Sequence, residues 1–253
     1  MLRAHGISHA GRVRKTNEDA LICELDLGLF MVADGMGGHN AGEVASHLAI
    51  ETIRTFVLRT RDDNEATWPY GFDPQLSCDA NRLLTAIKLA NRQVFAASES
   101  CEAYAGMGTT VVAALIKETQ LVFSSAGDSR LYTFLHGTLT QLTRDDSWVA
   151  TVLAEKVGLD EAGLARHPMR HVLTNAIGAR EQTEIEASER VLADGEILLL
   201  CSDGLHGAVD DATIGEVLRT GADVVFVAER LVELALERDS RDNITAVVVD
   251  YRA

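Results

Sequence analysis

The sequence predicts an α+β fold in which antiparallel sheets and helices form layers. Three observations carry this. Short apolar runs rich in β-branched residues follow one another along the chain. Stretches with helical apolar spacing come in groups and do not alternate strictly with those runs, which disfavours a doubly wound parallel sheet. Of the 253 residues 47% are hydrophobic, enough to fill a core of that size.

The elements follow in order. Asn17-Glu18-Asp19 precedes Ala-Leu-Ile-Cys, a strand start, and LFMVA at 29–33 is a strand that stops at the turn dipeptide Asp34-Gly35. Residues 42–60 place Ala45, Leu48, Ala49, Ile53 and Phe56 on one helical face, and residues 81–97 do the same with Leu83, Ile87, Ala90 and Val94. Between them, residues 61–79 hold Pro69 and Pro74 and lack periodicity, so they read as a surface loop joining two helices. TTVVAALI at 109–116 is a strand; the runs at 120–126 and 131–134 flank the turn Gly127-Asp128-Ser129. EILLLC at 196–201 stops at Ser202-Asp203-Gly204, residues 222–238 form a third amphipathic helix, and ITAVVVDY at 244–251 is a buried strand.

Charge narrows the function. Lys and Arg number 23 against 38 Asp and Glu, a net −15. That excludes a phosphate-neutralising nucleic-acid surface and a patch for anionic lipid. It suits substrates with basic residues near the reacting group. No apolar run approaches the ~18 residues of a membrane span, and the amino-terminal stretch has no signal-peptide core. Cys23, Cys78, Cys101 and Cys201 are scattered without a CxxC pair, which fits free thiols in the cytoplasm.

The aspartates are the informative feature. Three apolar runs lead directly into Asp34, Asp128 and Asp203, Asp242 stands before the last strand, and Glu18-Asp19 precedes the first. Strand ends of a layered fold converge, and converging carboxylates raise one another's pKa unless a cation neutralises them. An all-oxygen set suits Mg²⁺, Mn²⁺ or Ca²⁺. Each Asp-Gly alone reads equally well as an ordinary turn.

The ordered motifs RKTNED (14–19), VADGMGG (32–38), GTT (108–110), AGDSR (126–130), SDGL (202–205) and RDNITAVVV (241–249) resemble the metal-dependent protein phosphatase family, of the protein phosphatase 2C type, in its compact bacterial serine/threonine branch. The resemblance spans the chain. It implies a four-layer α-β-β-α sandwich, two antiparallel sheets flanked by pairs of helices, as a single domain over 1–253 with a flap subdomain at about 145–180. It implies two Mn²⁺ or Mg²⁺ ions with a weaker third. Asp34 would bridge the two ions; Asp203 and Asp242 would complete the first shell, Glu18 and the Gly35 carbonyl the other. Asp19 would hold metal-bound water, Asp128 would serve the third ion with Asp203, and Arg14 would bind the substrate phosphate. The expected catalytic group is then Arg14, Asp34 and Asp19. The activity implied is hydrolysis of phosphoserine and phosphothreonine in proteins by a metal-bridged hydroxide, without a phosphoenzyme. The expected setting is a cytoplasmic monomer facing a cognate bacterial serine/threonine kinase, with no nucleic acid or membrane partner.

Two departures stand out. Met36 occupies the position of a histidine proposed as general acid in eukaryotic members, which leaves His39 as a nearby alternative. Gly207 stands where some relatives have a further aspartate. Two other functions share the fold: a non-catalytic phosphoprotein-binding regulator, and a hydrolase of small phosphate esters. His167 and His171, four apart, read better as part of the flap than as a metal pair, because Pro168 interrupts a helix between them.

Overall fold

The computed structural model describes residues 1–38, 41–62, 67–154, 167–169 and 172–253. Two antiparallel sheets stack face to face. The first runs in the order β1 (Leu2–His9), β11 (Ile244–Tyr251), β10 (Ile197–Cys201), β7 (Arg130–Leu135), β8 (Thr138–Gln141). The second runs β2 (Asp19–Glu24), β3 (Leu29–Met36), β5 (Val111–Lys117), β6 (Gln120–Ala126), β9 (Ala187–Val191), with the short β4 (Gly108–Thr109) beside β3.

Alternation along the strands decides what each face meets. In β3, Phe30 and Val32 point between the sheets and pack with Val112, Leu131, Leu198 and Val247. Leu29 and Met31 face the other way, onto Ala45 and Ile53 of α1 (Ala41–Thr60) and Leu83 and Ile87 of α2 (Cys78–Ser100). A strand buried on both faces must be apolar throughout, which explains the unbroken LFMVA. The first sheet turns Tyr132, Leu199 and Val248 outward onto α5 (Asp211–Arg219) and α6 (Val224–Glu237). The layers are therefore α-β-β-α, as the resemblance implied.

Several boundaries differ from the sequence reading, each for a local reason. Asp34-Gly35 is not a turn. Strand β3 continues through it to Met36, because Asp34 pairs with Asp19 while Gly35 and Met36 pair with Thr109 and Gly108. The run at 109–116 is broken at Thr110, whose N–H donates to the Asp34 carbonyl at 2.8 Å instead of extending the strand. The SDG segment opens a one-turn helix, α4 (Asp203–His206). Strands β1 and β9 lie at sheet edges, half-buried and rich in polar residues, so periodicity did not reveal them. Of the span expected as a flap, residues 155–166, 170 and 171 lie outside the described residues; α3 (Trp148–Ala154) presents Trp148 to His167, whose rings stack at 4.1 Å between centroids. His39 and His171 lie outside the described residues.

Candidate active site

One end of the sandwich opens into a cleft of about 1120 Å³ lined by Arg14, Glu18, Asp34, Gly35, Asp128, Asp203 and Asp242. Seven predicted residues from five chain segments thus meet in one place. Asp19, the eighth, stands behind them in β2, only 4% exposed.

Hydrogen bonds to the flanking backbone position Asp34, Asp128 and Glu18. The Asp34 N–H donates to Thr110 Oγ1 at 3.0 Å, and its carbonyl accepts from Thr110 N and from Thr109 Oγ1 at 2.9 Å. Thr110 Oγ1 lies 2.7 Å from Ser129 Oγ, which ties the β3 end to the turn bearing Asp128. Gly35 lets α1 approach, since a Cβ there would lie 2.1 Å from the Gly42 carbonyl oxygen and 2.7 Å from that of Glu18. Asn243 organises the opposite wall. Its Oδ1 accepts from the Glu18 N–H at 2.8 Å, and its Nδ2 donates to the carbonyls of Ala10 and Thr16, both at 2.9 Å. The loop carrying Arg14 and Glu18 is thereby anchored beside Asp242. His206 Nε2 lies 3.0 Å from the Asp128 carbonyl. A carbonyl only accepts, so Nε2 carries the hydrogen, and burial holds this imidazole's pKa down to about 4.

Asp19 Oδ2 accepts from Thr245 Oγ1 at 2.6 Å and Ser202 Oγ at 2.8 Å. With the Thr245 hydrogen committed to Asp19, Ser8 must donate across its 2.7 Å contact to Thr245, and Asn17 Nδ2 in turn donates to Ser8 at 2.8 Å. The polar chain orients Asp19 completely on one oxygen. The other, Oδ1, is buried with no hydrogen-bond partner among the described residues.

The electrostatics are those of a site poised for a cation. Burial, then Asp19, Asp203, Asp242 and Asp128 in turn, hold the Asp34 carboxyl well above the usual carboxylate range. Burial raises Asp19 to about 7, and burial followed by Asp203 raises Asp128 to about 7. Burial also raises Glu18. Arg14 offers partial relief through Nη2, 2.7 Å from Asp242 Oδ2. No three His, Cys, Asp or Glu side chains among the described residues form a closed ligand cage. The donor set is nevertheless all oxygen, crowded and under-neutralised, with a buried carboxylate oxygen left over. That fits hard divalent ions that retain much of their water, and it does not fit zinc.

The sequence pattern of the protein phosphatase 2C family matches residues 6–237. The chain belongs to the protein phosphatase 2C family. Within that family it is 39% identical over 251 residues to the serine/threonine protein phosphatase PstP of Mycobacterium tuberculosis, covering 99% of this chain and 45% of that protein. It thus spans less than half of PstP. It is 32% identical over 249 residues to the serine/threonine phosphatase stp of Listeria welshimeri, covering 95% of this chain and 92% of that one. Among solved structures, the PstP catalytic domain in complex with two manganese ions superposes with a TM-score of 0.80 at 36% identity, covering 100% and 99% of the two chains. PppA, described as a key regulatory component of T6SS in Pseudomonas aeruginosa, superposes with 0.82 at 35%, covering 99% and 98%. These protein phosphatase 2C neighbours share the two-sheet sandwich seen here.

Thr110, Ser129, Ser202, Asn243 and Thr245 received no role from the sequence. Their signal was small polar residues inside or abutting strands buried on both faces, where each such group needs a partner.

Proposed function

We propose that this chain is a metal-dependent phosphoprotein phosphatase that hydrolyses phosphoserine and phosphothreonine. The observation that carries the reading is the convergence of Glu18, Asp34, Asp128, Asp203 and Asp242 with Arg14 on one cleft. Asp34, Asp203 and Asp242 would hold one Mn²⁺ or Mg²⁺, and Asp34, Glu18 and the Gly35 carbonyl a second, with Asp128 and Asp203 offering a weaker third place. Ions bound there supply charge neutralisation at the phosphate and acidify water.

The chain's own residues do the rest. Arg14 turns its planar fork from Asp242 to two phosphate oxygens, which a lysine could not span. Asp19, locked by Ser202 and Thr245, keeps Oδ1 as an acceptor that orients water. Met36 lines the cleft and has no proton to give, so the leaving group's proton comes from water or from another group, His39 being the candidate the sequence offers. Residues at about 145–180 serve as a flap on a single domain. The reading brings with it phosphoprotein substrates, an opposing serine/threonine kinase, and a monomer in a reducing cytoplasm that suits four free thiols.

The test is hydrolysis of a phosphothreonine peptide by the wild type and by Asp203→Asn, each in chelator, Mg²⁺ and Mn²⁺. Metal-dependent turnover that collapses in the variant is the expected result. Activity indifferent to chelation, or none in folded wild type with Mn²⁺, overturns the reading.

A further inference from the structure

Arg180 lies on the rim shared by the reaction cleft and an adjoining groove of about 860 Å³. It is exposed, and its guanidinium makes no ion pair or hydrogen bond among the described residues. This is notable because Glu184 and Glu186 line the same groove and neither takes it. Arg14, the arginine beside the carboxylates, is by contrast bonded to Asp242.

The loop that presents Arg180 is held by one buried side chain. Asn91 of α2, 3% exposed, donates through Nδ2 to the carbonyls of Arg180 and Glu181, both at 3.1 Å. Its Oδ1 accepts from the Gly178 N–H and from Thr183 Oγ1, both at 2.8 Å. Gly178 sits at φ 84°, where a Cβ would lie 2.2 Å from Val94 Cγ1, so the loop lies flat on the helix. All four interactions of the Asn91 amide with this loop are spent on its backbone and on Thr183. They fix the place from which Arg180 projects while leaving its guanidinium uncommitted. An arginine fixed at its base and unpaired at its tip is preorganised for an anion from outside, a local preference set against the chain's net −15, which by itself favours basic residues near the reacting group.

Resting on the phosphatase reading, we propose that Arg180 is a specificity-determining residue that receives an anionic group of the substrate next to the phosphosite. The reacting phosphate belongs to the wall of Arg14, Asp34, Asp203 and Asp242. Arg180 comes from the other wall, on the loop after β-bridge residue Ile177, and serves both the cleft and the groove. The group it takes is a carboxylate or a second phosphate, the two anions a guanidinium grips bidentately. The groove also carries Asp145, Asp146, Glu184 and Glu186, which repel anions, so the anion preference is placed at the cleft side of the rim that Arg180 shares.

The experiment uses phosphothreonine peptides that differ at one flanking position, scanned over three residues on each side: Gln, Glu, Lys or a second phosphothreonine. Wild type, Arg180→Gln and Arg180→Glu are assayed in Mn²⁺. For the wild type, kcat/KM for Glu or phosphothreonine at the responsive position should exceed that for Gln by about 3- to 10-fold, mainly through KM. The ratio should fall to near one in Arg180→Gln and invert toward the Lys peptide in Arg180→Glu. The Glu and phosphothreonine arms tell carboxylate from phosphate. The same ratio in wild type and Arg180→Gln, or a wild-type preference for Lys, overturns the inference. If no peptide is hydrolysed, the phosphatase reading falls; the ordering of peptide affinities by fluorescence anisotropy, with and without Arg180, then decides the inference by itself.

Discussion

Asp19 stands directly opposite Asp34 in the β2–β3 ladder, so two carboxylates separated by fifteen positions in sequence face one another at the mouth of the sandwich. Like charges at paired positions destabilise a sheet, and here burial adds to the repulsion. The fold tolerates this pair because a cation relieves it.

Asp34→Asn therefore separates stability from function. Without metal, the variant should be more stable than the wild type by on the order of 1 kcal/mol, since one of two facing charges is gone. Its turnover should fall by ~100-fold or more. Wild type should gain about 2.7 kcal/mol at Mn²⁺ 100 times its Kd, and the variant much less at the same concentration. Denaturant titrations with chelator and with Mn²⁺ read both effects; a metal-free variant less stable than wild type would contradict the charge argument.

The raised carboxyls also set a pH dependence. Asp19 and Asp128 titrate near 7 when folded and near 3.8 when unfolded. Between those values the folded state holds more protons, so metal-free stability should decline as pH rises from about 4 to 7. Mn²⁺ should flatten or reverse that slope, because the cation favours the ionised form. Chemical unfolding at pH 5 and 7.5, with and without metal, measures it, and a metal-free protein that is more stable at pH 7.5 is the contrary outcome.

Arg14 and a cation compete for Asp242, given the 2.7 Å ion pair. Arg14→Gln should lower kcat/KM by about 10- to 100-fold through lost phosphate contacts. Its Mn²⁺ affinity should be unchanged or higher, as Asp242 is released. Titration calorimetry beside steady-state kinetics checks this, and weakened metal binding would show that Arg14 organises the cation site instead of competing with it.

Asn91→Ala should destabilise by about 2–4 kcal/mol, because it strands two carbonyls, the Gly178 N–H and Thr183 Oγ1 at a buried contact. Amide exchange should rise first at 178–183 while β10 and β11 stay protected. Uniform loss of protection would mean that the loop is not an independent unit.

The sequence by itself marked the core and the carboxylates that the structure gathers at the cleft. Periodicity marked the long helices and the doubly buried strands, since apolar burial depends on local spacing alone. The carboxylates were legible because each sits where a strong local signal ends, as Asp34, Asp128 and Asp203 do, or begins, as Glu18, Asp19 and Asp242 do. What only the tertiary structure decided is how those ends are held. Whether Asp34-Gly35 turned or continued as strand depended on Asp19 and Thr109, which lie 15 and 75 positions from Asp34. The grip of Ser202 and Thr245 on Asp19 joins residues 183 and 226 positions away. Neither residue type nor spacing encodes such a bond locally; the packing of two sheets brings its partners together. The same holds for Arg180, one exposed arginine among many in the sequence, distinguished only when a buried asparagine on a distant helix fixes the loop that carries it.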